Sequence, residues 1–173
     1  MAPRREPSGR EEQTESMNIG ARLGTEGDLR TLVELCRACR ESFAGERGGS
    51  VHVLKVSFAE PLEPHFRAMV HDELSLVLLG TIDDVPVGLG VARLEETPEP
   101  GRLATVEVLY VEPAAREVGV GEKLLAELTD WATRRGATGV DVPVLPGSRT
   151  SKSFLEGSGF VTRLLVMHRR LAR

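Results

Sequence analysis

The chain of 173 residues is long enough for one domain of ordinary size, and it needs neither disulfides nor a metal for stability. With 40% hydrophobic and 28% charged residues it is globular, and its net charge of −4 argues against nucleic acid as the main partner. No apolar run approaches the ~18 residues of a membrane span, and residues 1–16 lack the apolar centre of a secretory signal. A cytoplasmic protein without a membrane partner is therefore expected.

The N-terminal part of the chain contains a tail, a strand and two helices. Residues 2–16 hold no large apolar side chain, so the segment 1–16 is predicted to be a disordered tail before a single domain over 17–173. A strand from about residue 18 to 23 precedes a helix that ends near Phe43. Residues 51–73 carry the weakest pattern, with Pro61 and Pro64 indicating a helix start.

The first helix contains the only two cysteines, Cys36 and Cys39, in a C-x-x-C spacing that could indicate a redox or metal site. Both lie on one apolar helical stripe, and the four histidines are scattered along the chain. A free cysteine on such a stripe behaves as a small hydrophobe. The pair is therefore predicted to pack in the core, and no metal site is expected.

Three strands are predicted next, as an antiparallel meander. Residues 74–81 and 85–94 are apolar and flank the turn Asp83-Asp84, as a hairpin requires. An acidic loop follows, and residues 103–111 form the third strand.

A short glycine motif follows the third strand and opens a helix. Arg116, Gly119 and Gly121 precede an apolar helical face that ends at Gly136. Glycines let the backbone approach a ligand closely, and a helix N-terminus favours an anion. The segment therefore predicts a phosphate cradle, with a simple tight turn as the alternative.

Two other phosphate motifs fit less well. A P-loop would need a Ser or Thr after Lys123, where Leu124 stands, and a dinucleotide fold would need a third glycine at that same position. Asp141 does lie 20 residues beyond Gly121, where a ribose-binding acid would be expected. A nucleotide-binding domain therefore stays a weaker alternative.

The motif R/Q-x-x-G-x-G/A, entered from the strand end Val111-Glu112-Pro113, resembles the acetyl-CoA motif of the GNAT superfamily of N-acetyltransferases. The resemblance extends to Gly159-Phe160 and covers roughly residues 18–171, with the specific motif within 104–121. It implies an α/β (α+β) fold: a mixed, mostly antiparallel, splayed sheet flanked by about four helices.

The resemblance also implies acetyl-CoA as co-substrate and a set of main-chain groups that bind it. The pantetheine arm would pair with Leu109, Tyr110 and Val111. The pyrophosphate would be held by Arg116, Glu117, Val118, Gly119, Val120 and Gly121. The strands around this loop would splay apart, which suits Pro143, because proline cannot donate a ladder hydrogen bond.

Acyl transfer to an amine requires a base that removes a proton. Glu107 lies near the centre of the strand, where some family members carry a carboxylate base. The alternative is an ordinary polar residue on a half-exposed strand, with Val106 and Val108 facing the other way.

The C-terminal part departs from the family pattern N-x-x-A-x-x-x-Y-x-x-x-G-F. Aligned on Gly159-Phe160, its three positions hold Ser148, Ser151 and Leu155. The resemblance implies that Ser148 and Ser151 belong to the coenzyme-binding residues, whereas a leucine cannot protonate a leaving thiolate. The residues 161–171 are predicted to form one last strand, whose open edge a homodimer partner could cover.

The resemblance therefore implies an N-acetyltransferase that moves an acetyl group from acetyl-CoA to a primary amine of a small molecule or peptide by direct transfer. The missing tyrosine favours a second hypothesis, a non-catalytic acyl-CoA-binding or regulatory module.

Overall fold

The computed structural model describes residues 17–43, 45–46, 49, 60–99 and 101–169 of the chain. The predicted tail over 1–16 lies outside these residues. None of the described helices has the length and the apolar composition that crossing a membrane requires.

One open sheet and the helices on its two faces make up the described fold. The strands are β1 (Ile19–Leu23), β2 (Ser75–Ile82), β3 (Val85–Glu96), β4 (Arg102–Val111) and β5 (Gly139–Asp141). The helices with described bounds are α1 (Leu29–Ser42), α2 (Leu62–Met69), α3 (Val120–Arg134) and α4 (Arg149–Gly157). The strands lie in chain order, antiparallel except for the parallel pair β4–β5. The predicted mixed, mostly antiparallel sheet with four helices is confirmed.

One face of the sheet is covered by α1 and α2. Leu32 and Phe66, from the two helices, are fully buried there with Leu89 of β3. Cys36 and Cys39 belong to the same core and are free thiols, as predicted. Burial raises the pKa of Cys36 to about 11 and that of Cys39 to about 12, so both stay protonated at neutral pH.

The opposite face is covered by α3, which lies against three glycines of the sheet. A Cβ atom at Gly80 would come within 2.7 Å of Val120, and one at Gly88 within 3.1 Å of Leu124. Gly90 lies under Leu128 in the same way. Because these strand positions carry no side chain, the helix approaches the sheet closely, and its N-terminus is held beside the end of β4.

The hairpin turn between β2 and β3 occurs at the predicted residues, Asp83 and Asp84. Both have positive φ, 48° and 65°. A two-residue turn with positive φ at both central positions matches the right-handed twist of the flanking strands.

The predicted last strand does not form over residues 161–169, and this prediction was wrong for the described part of the segment. Gly159 has φ +87° and turns the chain after α4. The neighbouring β5 has only three residues, so it presents few ladder groups to a further strand. Residues 170–171 lie outside the described residues.

Candidate active site

The central feature of the site is the short pairing between β4 and β5. The two strands pair only over residues 103–105 of β4 and 139–141 of β5. Beyond Thr105, β4 continues for six residues to Val111, while β5 ends two residues before Pro143. Among the described residues no strand pairs with the β5-facing edge of β4 along residues 106–111, which include Leu109, Tyr110 and Val111, and we call this stretch the open edge of β4.

A β-bulge lies at Glu107, within this open part of β4. Val91 of β3 pairs with Val108 and the next residue, Ala92, pairs with Val106, so Glu107 is the extra residue on its strand. As a result Val106 packs with the α3 side, whereas Val108 packs with the α1 side. The sequence-based expectation that both valines face away from Glu107 was wrong, because regular alternation does not survive a bulge.

The carboxyl group of Glu107 is in a partly desolvated environment. Its Oε2 atom is buried and has no hydrogen-bond partner among the described residues. Burial raises the pKa of Glu107; the positive charge of Arg93 opposes this shift and the negative charge of Glu95 adds to it. A carboxylate with a raised pKa and free acceptor capacity has the properties of a general base.

The predicted cradle forms the connection from β4 to α3. Gly119, the residue before α3, has φ +105°, and Glu117 also has a positive φ of 66°. The N–H groups of residues 119–122 have no backbone carbonyl partner within the described chain, and no side chain caps the helix. These four donors and the positive end of the helix dipole can receive an anion.

Arg116 holds this loop against the end of β4. Its Nε donates a hydrogen bond to the carbonyl oxygen of Val111 at 3.0 Å. A second hydrogen bond fixes the start of the loop: the Glu112 N–H donates to the Val87 carbonyl of β3 at 2.9 Å. The guanidinium thus positions the cradle as well as adding positive charge to it.

Helix α4 lies beside the start of α3. Ser148 and Ser151 lie at its start, and their hydroxyl groups are hydrogen-bonded to each other at 2.7 Å. Phe154, one turn later, places its ring 3.7 Å from where a Cβ on Gly121 would be. Sequence reasoning missed Phe154, because a phenylalanine in a short amphipathic helix resembles any other core residue. Leu155, at the family's tyrosine position, is buried.

Tyr110 points away from the α3 side of the sheet. Its side chain is buried with α1 residues such as Cys39. Burial raises the pKa of its hydroxyl, so it stays protonated at neutral pH. Its main chain lies on the open edge of β4, which is the part that the family resemblance assigns to pantetheine.

A separate groove of about 740 Å³ lies between α1 and α2. It is lined by charged side chains that include Glu26, Arg30 and Arg67, and by no residue of β4, β5 or the cradle. Within the described part of the chain, no three Asp, Glu, His or Cys side chains converge as a metal ion would require.

Comparisons with known proteins show the family to which the chain belongs. The profile of the acetyltransferase (GNAT) family matches residues 34–160, well over half of the sequence, and the chain belongs to that family. Membership implies acyl transfer. No curated protein matches the chain significantly.

Solved structures share the fold at low sequence identity. A point-mutant protein from Bacillus halodurans aligns with a TM-score of 0.73 and 18% identity, over 88% of this chain and 99% of its own. An aminoglycoside acetyltransferase from an uncultured soil metagenomic sample, in complex with sisomicin, aligns with a TM-score of 0.68 and 18% identity, over 90% of this chain and 96% of its own. A predicted acetyltransferase from Clostridium acetobutylicum with acetyl-CoA aligns with a TM-score of 0.69 and 14% identity, over 88% of this chain and 96% of its own.

Proposed function

We propose that this protein is an acetyl-CoA-dependent N-acetyltransferase that acts on a primary amine of a small molecule or peptide. The observation that carries the proposal is the open edge of β4, which runs from the half-buried Glu107 to the unpaired N–H groups at the start of α3. The sisomicin-bound and acetyl-CoA-bound neighbours support a small-molecule amine and this co-substrate.

The residues of the opening fit the parts of coenzyme A. A pyrophosphate is an anion, and the four free N–H groups at residues 119–122 match its acceptor oxygens. Gly121 has no side chain in the space between Val111 and Phe154, so a ligand can come close to its backbone. The amide groups along residues 106–111 would pair with the amides of pantetheine as an added strand would.

The thioester supplies an activated acetyl group. A neutral amine nitrogen attacks the carbonyl carbon of this group, the new C–N bond forms, and the C–S bond breaks. Glu107 accepts the proton that the amine loses, directly or through one water. Main-chain N–H groups on the open β4 edge stabilise the negative charge that develops on the carbonyl oxygen.

The leaving sulfur has no tyrosine donor at the family's position, because Leu155 is buried there. A thiol has a pKa near 8.5, so thiolate is an adequate leaving group at neutral pH without a dedicated acid. This departure favours one alternative, a non-catalytic acyl-CoA-binding module.

Two measurements on the full chain separate these functions. Calorimetry with coenzyme A tests the cradle, with NAD and ATP as competitors. Release of the free thiol from acetyl-CoA, followed over a panel of small-molecule and peptide amines, tests catalysis. Binding with amine-dependent release supports the transferase; binding with no release for any amine supports the module; no binding of coenzyme A contradicts both.

Glu107→Gln tests the proposed base. The amide cannot accept the proton, so kcat/KM should fall about 10²-fold or more while coenzyme A affinity is unchanged. In the wild type, kcat/KM should decline as the pH falls through the raised pKa of Glu107, above the ~4.3 of an ordinary glutamate. A variant with full activity would remove Glu107 from the mechanism.

Glu95→Gln is the matched control, since it removes a carboxylate from the same neighbourhood. Its negative charge raises the pKa of Glu107, so its loss should move the acid limb of the profile to lower pH. The plateau rate should stay the same. If the decline of kcat/KM at low pH stays at the same pH in this variant, a group other than Glu107 is responsible for it.

A further inference from the structure

Arg93 of β3 lies beside the proposed base. In the pairing of β3 with β4 it is opposite Thr105, two positions before Glu107. Positions two apart on a strand are separated by about 7 Å, a gap that the long arginine side chain can span. Burial raises the pKa of Glu107, and Arg93 is the charge that acts on it most strongly, in the opposite direction. The guanidinium is therefore within reach of a small molecule bound at Glu107.

The guanidinium of Arg93 has unused donor capacity. Its side chain is 44% exposed, and its one ionic partner among the described residues, the Asp72 carboxylate, is 3.8 Å away. That distance is too long for a hydrogen bond. The Asp72 carboxylate accepts hydrogen bonds elsewhere, from the Ser75 hydroxyl at 2.7 Å and the Leu74 N–H at 3.1 Å. The planar fork of five N–H donors that an arginine carries is thus available to a ligand.

An acceptor molecule bound at Glu107 would cover this guanidinium. If the molecule offered no acceptor oxygen, the binding would leave a charge desolvated and unpaired, which is costly. If the molecule carried further positive charges, Arg93 would repel them. A molecule with an anionic group close to its amine meets neither penalty.

We infer that the acceptor is an amine that also carries a carboxylate, and that Arg93 binds this carboxylate while Glu107 receives the amine. The inference rests on the proposed function and names its substrate class. A guanidinium and a carboxylate form two parallel charge-assisted hydrogen bonds, which are among the stronger ones in proteins. A dianionic phosphate fits less well, because the nearby carboxylates of Glu107 and Glu95 would repel its second charge. An α-amino acid holds its amine and its carboxylate on one carbon atom, so one small molecule can make both contacts.

The experiment compares acceptors that differ only in the carboxylate. Release of the free thiol from acetyl-CoA is followed with a panel of α-amino acids and with the α-amide of each, on the plateau of the pH profile. For the preferred side chain, kcat/KM of the wild type should be about tenfold or more higher for the acid than for its amide. Arg93→Gln should remove this preference, chiefly by raising KM for the acid. Arg93→Lys should keep part of it, because lysine retains the charge and lacks the fork.

Arg134→Gln is the matched control, since it removes an exposed arginine from the last turn of α3. It should keep the preference of the wild type. The loss of Arg93 also removes a charge that opposes the raised pKa of Glu107. This second effect is the same for an acid and its amide, so the ratio of their kcat/KM values isolates the recognition of the carboxylate.

The outcomes separate this inference from the proposed function. If amides or simple amines are acetylated as well as the acids, or if Arg93→Gln keeps the preference, the inference is overturned while the transferase remains. Calorimetry with the same acids and amides, in the presence of coenzyme A, gives a readout that needs no turnover. Tighter binding of the acid than of the amide, lost in Arg93→Gln, supports the inference even where thiol release fails. Equal binding of the two, or binding of neither, overturns it.

Discussion

Glu117 is a residue other than glycine with positive φ, and it lies two positions before Gly119 in the cradle. Left-handed backbone costs a residue with a Cβ roughly 1–2 kcal/mol, and such conformations are retained mostly where a ligand or turn requires them. At the residue scale, the segment that we propose for coenzyme A therefore differs from an ordinary loop in its backbone conformation rather than in the charge of its side chains.

Gly121→Ala tests the cradle without disturbing the fold. The new Cβ would have only ordinary contacts, at 3.7 Å to Phe154 and 3.9 Å to Val111, and alanine favours a helix over glycine by up to about 1 kcal/mol. Stability in urea should therefore be unchanged or increased. Coenzyme A affinity by calorimetry should fall about tenfold, because the methyl group occupies the opening.

Gly157→Ala, in α4, is the control for this substitution. A Cβ there would meet nothing within 4 Å. It should show a similar change in stability with wild-type affinity. Equal affinity in the two variants would show that Gly121 does not line the site.

At the scale of elements, the close packing of α3 on β2 and β3 decides where the cradle lies. The helix begins beside the end of β4 because Val120 and Leu124 pack onto Gly80 and Gly88. Van der Waals contact at this distance leaves no room for a methyl group on the strands. The position of the free N–H groups is thus a consequence of small residues on a neighbouring element.

Gly80→Ala should destabilise the protein more than Gly90→Ala. The first Cβ would approach Val120 at 2.7 Å and the second would approach Leu128 at 3.2 Å, both on α3. Overpacking of this kind costs about 1–3 kcal/mol, and the larger cost is expected at Gly80. Chemical denaturation measures both variants, and equal costs would indicate that α3 shifts freely over the sheet.

At the scale of the whole molecule, β4 is paired with β5 along only the first part of its length. Three residue pairs join β4 to β5, and beyond them β5 ends while β4 continues along the proposed binding site. Amide groups on an unpaired edge are accessible to water, whereas those of β3, between β2 and β4, are paired on both sides.

Hydrogen exchange followed by mass spectrometry should therefore respond to coenzyme A in a defined pattern. Segments containing residues 106–111 and 119–122 should become protected when the ligand is added, and segments of β3 should not change. Protection confined to the groove between α1 and α2 would contradict the proposed site.

Much of the candidate site could be predicted from local patterns in the sequence. The glycine spacing at residues 119 and 121, the strand before it and the helix after it are visible in the sequence, because each depends on neighbouring residues alone. The end of β5 before Pro143 was also predictable, since proline lacks an N–H group wherever it stands. The stripe that buries Cys36 and Cys39 is a local helical period of the same kind.

The bulge at Glu107 and the absence of a strand over residues 161–169 were decided only by the tertiary structure. Val-Glu-Val has the same alternation with or without a bulge, and the extra residue appears only when β4 is placed in register with β3. Residues 161–169 have the composition of a strand, yet a strand needs a partner of sufficient length, and β5 offers three residues. Local preferences are encoded residue by residue, whereas pairing depends on which other segment is available at that distance.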